Sequence, residues 1–184
     1  MISEEQITIT FPDGKKRIYQ KGITGSQIAE SISKSLQKKA IAIKVDQIQK
    51  DLCDSLYSDS SICIITIDTD EGIEIMRHTI TAQVLARAVK NLYPNSKLAI
   101  GPTIENGFYY DVLFEKPISY DDLSMIENEM KKIVKHGHKI KKSFKTKQES
   151  IDLFNSRKES YKVEIINQSG QEKDFQIYEQ DDSD

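Results

Sequence analysis

The sequence predicts an α+β protein of two units, and three observations predict it. Residues 7–11 (I-T-I-T-F) alternate apolar and polar side chains and are followed, one turn later, by a return strand. A short polar break, Asp68-Thr69-Asp70-Glu71-Gly72, separates this part from the remainder of the chain. Beyond it, residues 73–93 place their apolar side chains on one wide helical arc until Pro94 ends the run. The expected units are residues 1–68 and 69–184, the second built around a long buried helix packed on a β-sheet.

In the first unit, Pro12-Asp13-Gly14 has turn chemistry, and residues 16–19 read as the hairpin partner of the first strand. Thr24 with Gln27 forms a capping-box pattern that opens a helix with apolar positions through Ile28, Ile32 and Leu36. Residues 40–45 and 62–67, rich in Ile and Val, read as further strands. Strand, hairpin, helix and strands within about 65 residues have the order of a small ubiquitin-like β-grasp unit.

The second unit continues with short strands at 97–100 and 108–114. Between them Asn106-Gly107 suits a type I′ hairpin turn. Ser119 with Asp121 and Asp122 caps a helix to His136, a lysine-rich strand follows at 139–144, and Thr146 with Glu149 opens a short helix to Ser156. Residues 161–166 read as a strand and 175–178 as the last one.

The charge balance is −3, with 26 basic and 29 acidic residues, which excludes a uniformly basic nucleic-acid binder. The distribution is uneven. Residues 131–147 hold eight lysines, two histidines and no acid, whereas 172–184 hold six acids and one lysine. Lys139, Lys141 and Lys142 are therefore candidate RNA-phosphate contacts. No apolar run reaches the ~20 residues of a membrane span. The start has no secretory-signal pattern, and Cys53 and Cys63 form no Cys-x-x-Cys motif, which suits a reducing, cytoplasmic setting.

Phosphate-binding, dinucleotide and zinc-protease motifs are absent, and three histidines with two scattered cysteines make no zinc site. Three stretches remain. His78, projected at about 100° per residue, falls among Leu85, Val89 and Leu92 and so faces the interior or a cleft. Residues 100–111 (IGPTIENGFYYD) combine a Gly-Pro turn, an Asn-Gly turn and an aromatic strand. Glu159-Ser160-Tyr161-Lys162 opens the expected strand.

Taken in order, MRHT at 76–79, AVKNLYPNSKLAIGPTIENGFYYD at 88–111 and ESYKVEI at 159–165 resemble the N-terminal region of the threonyl-tRNA synthetases. The resemblance covers essentially the entire chain. It implies a TGS domain at 1–68, and at 69–184 most of an editing-type domain, one that hydrolyses serine wrongly attached to threonine tRNA. Such a step is useful because one missing methyl gives only ~1–3 kcal/mol of discrimination in a binding site.

The family's editing site uses a His-x-x-x-His pair on the long helix, the lysine of the SYK segment, a tyrosine of FYYD and a later Cys-x-x-x-His pair. Carried over, His78 matches the first histidine, Lys162 the lysine and Tyr110 the tyrosine; Gly101 and Pro102 lie in the substrate-binding stretch. The later pair has no counterpart, so the domain is expected to be C-terminally incomplete. Counting back from AVKNLYP puts Gln83 at the second histidine and Thr79 at the first, with one extra residue in the helix. A regular helix sets Gln83 about 140° from His78, and a π-bulge would absorb the extra residue.

The resemblance implies part of a threonine–tRNA ligase that contacts threonine tRNA and edits seryl-tRNA, joined in cis to the rest of the synthetase. Alone, the chain is expected to be weak or inactive in editing and unable to aminoacylate. No cofactor is expected in it, ATP and zinc belonging to the catalytic core, and neither a membrane nor DNA is an expected partner. The competing reading is a non-catalytic, TGS-containing module that binds RNA or protein.

Overall fold

A computed structural model describes residues 5–99 and 101–181. The chain divides into two compact units, Met1–Met76 and Arg77–Asp184.

The first unit is a five-stranded sheet in the order β2-β1-β7-β4-β5. Here β1 is Gln6–Thr10, β2 Lys16–Gln20, β4 Ala40–Val45, β5 Ile48–Lys50 and β7 Ser60–Thr66; a small ladder joins β3 (Ile23–Thr24) to β6 (Ser55–Leu56). β1 runs antiparallel to β2 with Ile7 opposite Tyr19, and parallel to β7 with Ile9 opposite Ser60. The alternation that marks β1 in the sequence is its burial pattern: Ile7 and Ile9 face a core of Ile28, Ile43, Val45, Leu56 and Ile62. α1 (Gly25–Ile32) opens with the expected capping box, Thr24 and Gln27 each bonding the other's backbone N–H. A side chain at Gly25 would come within 3.2 Å of Ile43, so glycine lets α1 settle onto β4.

One expectation for this unit is corrected. The helix does not run on to Leu36. Ser33 is extended (φ −166°, ψ 151°), ends α1, and caps α2 (Lys34–Lys39) by accepting from the Leu36 N–H. Ile32 is consequently exposed rather than core. A tight hairpin also joins β4 to β5 at Asp46-Gln47, both at positive φ (48° and 69°), where the sequence lacks the usual glycine.

The helical run beyond the polar break begins earlier than the pattern suggests: α3 is Asp70–Thr79, followed by a π-helical segment, Ile80–Leu85, and α4, Ala86–Leu92. Tyr93 caps α4 and Pro94 follows it. In the second unit α4 packs on α5 (Tyr120–His136) through Ala86, Ala88, Val89, Ile126 and Ile133. The expected broad sheet is absent among the described residues. Instead there are two-stranded ladders: β8 (Lys97–Leu98) with β11 (Val112–Leu113), β9 (Thr103–Ile104) with β10 (Gly107–Phe108), and β12 (Ile140–Lys145) with β13 (Phe175–Gln180). The strand expected at 97–100 is thus shorter, and Ile100 lies outside the described residues.

The expected Ser119 cap opens α5, where Asp122 extends it into a capping box; the expected Thr146/Glu149 box opens α6 (Lys147–Ser156), and Gly137 ends α5 in the left-handed region. The Asn-Gly turn does not form as type I′. Ile104 pairs with Gly107, so the turn is Glu105-Asn106, and neither residue has positive φ. The strand expected at 161–166 is a helix, α7 (Ser160–Gln168). Glu159, Lys162, Val163 and Ile166 are its inward positions. That is helical spacing, hidden in the sequence because two of the four inward residues carry charge.

This packing sets two expected outcomes. Ile43→Ala, at a site of 0% exposure, is expected to cost about 2–5 kcal/mol in urea unfolding. Ile32→Ala, at 38% exposure, is expected to cost about 0.5 kcal/mol or less in the same measurement. The second concerns acid. Hydrogen bonds from Ser119 and Tyr93 hold the Asp122 carboxyl at about 2, below its usual 3.8. Its contribution is present above pH ~4 and is lost as pH falls towards 2. Helicity should decline over that window, and Asp122→Asn should remove this part of the pH dependence, as followed by circular dichroism.

Candidate active site

The π segment determines where the helix residues point. The Ala86 N–H donates to the Thr81 carbonyl, five residues back, and Thr81 Oγ1 donates to the Arg77 carbonyl at 2.7 Å. A projection at a fixed angle per residue does not carry across such a turn. His78 is therefore exposed, not set among Leu85, Val89 and Leu92, which belong to the core or its border. Its Nε2 lies 3.4 Å from Thr103 Oγ1, at the start of the GPT hairpin.

Gln83 sits inside the widened turn and is half-buried. Gln180, from β13, donates through Nε2 to the Gln83 carbonyl (2.5 Å) and to its side-chain Oε1 (3.2 Å). Arg87 Nη1 donates to Gln180 Oε1 at 3.0 Å. Gln83, Arg87 and Gln180 thus form one polar network, and none of these three side chains is a general base near neutral pH.

The second cluster lies around α7. Glu159, 5% exposed, pairs with Lys90 at 2.9 Å; the Lys90 ammonium also donates to the carbonyls of Pro94 (3.2 Å) and Ser96 (2.8 Å). Lys162 is half-buried with its Nζ 5.1 Å from the Phe154 ring centroid. Burial depresses its basicity, and Glu159 works in the opposite direction. Tyr110 is half-buried against the unit's core, and burial, followed by the charge of Glu159, raises its phenol above the usual range. The phenol is therefore a proton donor at neutral pH.

The 101–110 stretch joins these parts. Thr103 meets His78, while Gly101 abuts Tyr110: a Cβ there would lie 2.1 Å from the Tyr109 carbonyl oxygen and 2.2 Å from Tyr110 Cδ2. Tyr109 N–H donates to the Pro102 carbonyl at 3.0 Å, and Pro102 itself is exposed. An open depression of about 430 Å³ lies beside Tyr110, lined also by Ala99, Asp111, Val112, Leu113 and Tyr161. Among the described residues no hydrogen bond or ion pair joins His78 to Gln83, Lys162 or Tyr110. The sequence-expected residues thus fall into three groups: His78 with the hairpin, Gln83 with Gln180, and Lys162 with Tyr110 around Glu159.

Lys90, Glu159, Thr103, Arg87 and Gln180 were not singled out by sequence. Lys90 and Glu159 stand inside the quoted AVKNLYP and ESYK segments, but nothing local signals that they meet. The lysine-rich run is also altered by its surroundings. β12 pairs with β13, which acidic residues flank: Lys141 bonds Asp181 at 2.8 Å, and Lys147 bonds Glu172 at 3.0 Å. Lys142 lies over Phe144 at 5.3 Å, and Lys139 is exposed. Asp182–Asp184 lie outside the described residues. Elsewhere, Asp51, Cys53 and Asp54 bring potential ligand atoms within 4.8 Å of one another on a loop of the first unit. No helix of the described residues is long and apolar enough to cross a membrane.

Comparison with known proteins identifies the first unit: residues 7–66 match the TGS domain family. The chain is 44% identical over 174 residues to the threonine–tRNA ligase of Bartonella tribocorum, covering 95% of this chain and 26% of that protein. It is 46% identical over 176 residues to the ligases of Acetivibrio thermocellus (96% and 28%) and a Geobacillus species (96% and 27%). It therefore spans about a quarter of the length of these curated relatives. The β-grasp unit and the mixed α/β region after it define a TGS-bearing protein. Over nearly its whole length the chain is similar to the N-terminal region of these threonine–tRNA ligases.

The closeness of Gly101 to Tyr110 yields a direct test. Gly101→Ala should displace Tyr110 and cost about 1–3 kcal/mol through overpacking. The readout is a lower melting temperature together with shifted Tyr110 ring resonances.

Proposed function

We propose that this chain serves in a cytoplasmic threonine–tRNA ligase as the region that contacts threonine tRNA and hydrolyses mischarged seryl-tRNA. The observation that carries the reading is the half-buried Lys162 one helical turn after buried Glu159, whose charge also reaches Tyr110, on a chain whose match to the ligases extends through all three segments. Water attacks the ester carbonyl carbon and gives a proton to His78. The carbonyl oxygen, negative in the tetrahedral intermediate, is held by the Lys162 ammonium and the Tyr110 phenol. Collapse breaks the ester bond, and the departing ribose oxygen takes the proton that His78 received from water. The products are serine and tRNA with its 3′-terminal ribose hydroxyl restored. Gly101 and Pro102 shape the approach to Tyr110, and Gln83 binds rather than reacts. No cofactor takes part in this chain.

The lysine-rich segment contributes to tRNA contact through Lys139, Lys141 and Lys142, with Lys141 paired with Asp181. The rest of the ligase, in cis, supplies aminoacylation.

Single-turnover release of serine from seryl-tRNA(Thr), measured with a large excess of the chain, tests the reading. Slow release is expected, falling about 10²-fold in His78→Ala and in Lys162→Met while tRNA binding persists. Tight tRNA binding with no serine release by the unaltered chain would instead make it a non-catalytic RNA-binding module.

A further inference from the structure

We propose that Glu159, held in place by Lys90, is a positioning residue for Lys162: the buried Glu159–Lys90 ion pair fixes the start of α7 and sets a carboxylate one helical turn before the half-buried Lys162. The role given to Lys162 rests on the editing reading; the existence and effect of the pair do not.

Glu159 is nearly inaccessible to water, and a carboxylate in that position needs a partner to remain ionised. Lys90 supplies it at 2.9 Å, and the same ammonium reaches the carbonyls of Pro94 and Ser96. An ammonium has three donors, so these contacts account for all of them and hold Lys90 in one place. Pro94 and Ser96 follow the end of α4, whereas Glu159 opens α7. The pair therefore ties the end of one helix to the beginning of another through side-chain charge.

Lys162 stands three residues after Glu159, where helix geometry makes neighbours of the two side chains, and its N–H donates to the Glu159 carbonyl at 3.1 Å. The charged groups acting on Lys162 are Glu159 on its own helix, Arg157 just before it and Lys90 from α4; Tyr110 faces Glu159 from the hairpin. Burial and the two cations favour a neutral amine, and Glu159 opposes them. This balance bears on chemistry, because a charged Lys162 can stabilise an oxyanion and a neutral one cannot do so comparably. Glu159 thus acts through Lys162 rather than on substrate.

The test is a titration of Lys162 by NMR in the full chain, with side-chain-labelled lysine, assigned through Lys162→Arg. Glu159→Gln should lower the Lys162 midpoint by about 1 pH unit. Unfolding would move Lys162 up towards the ordinary lysine value, so loss of structure cannot mimic the downward shift. An unchanged or raised midpoint in Glu159→Gln overturns the proposal. The titration needs no tRNA. A downward shift with unaltered serine release would leave the pair standing and remove the editing role from Lys162.

Discussion

Gln180 reaches from the last strand into the widest part of the helical run and donates its amide to the carbonyl of Gln83, while Arg87 donates to the other end of the same amide. One side chain thereby ties β13 to both sides of the π segment. A π turn is a poor arrangement for an isolated helix, and here it is met by a tertiary partner that satisfies a polar group within it. Much of the second unit depends on the turn. It sets which side chains before and after it face the core, leaving His78 exposed beside Thr103 while Ala88 and Val89 remain buried against α5.

Charge organises the same unit twice. The lysine-rich β12 and the β13 strand with its flanking acids are separated in sequence but adjacent in space, so part of the basic surface is neutralised within the fold. Nearer the candidate site, Lys90 and Glu159 form a pair whose carboxylate is almost wholly removed from water. The first arrangement is exposed and of small energetic consequence. The second is buried, and losing either partner would leave an uncompensated charge.

Local chemistry was legible wherever it was self-contained. The capping boxes at Thr24, Ser119 and Thr146 need only residues three apart, and each formed. The alternation of residues 7–11 reported one buried sheet face directly. Failures arose where a neighbour elsewhere in the chain decided the outcome. Val163 and Ile165 gave a false strand pattern because Glu159 and Lys162, charged in sequence, occupy inward helix positions. Ser33 broke a helix whose apolar spacing would have allowed it to continue. Asn106-Gly107 carried a turn signal that the strand register displaced by one residue.

The candidate site divides in the same way. Sequence alone determined which side chains stand at positions 78, 83, 110 and 162, and that is covalent information. Tertiary structure decided the rest: that residues 80–85 form a π turn, that Gln83 joins Gln180 rather than His78, and that Glu159 meets Lys90. A residue's type limits the hydrogen bonds and charges it can offer. Its partner is settled only when the chain closes on itself and water is excluded.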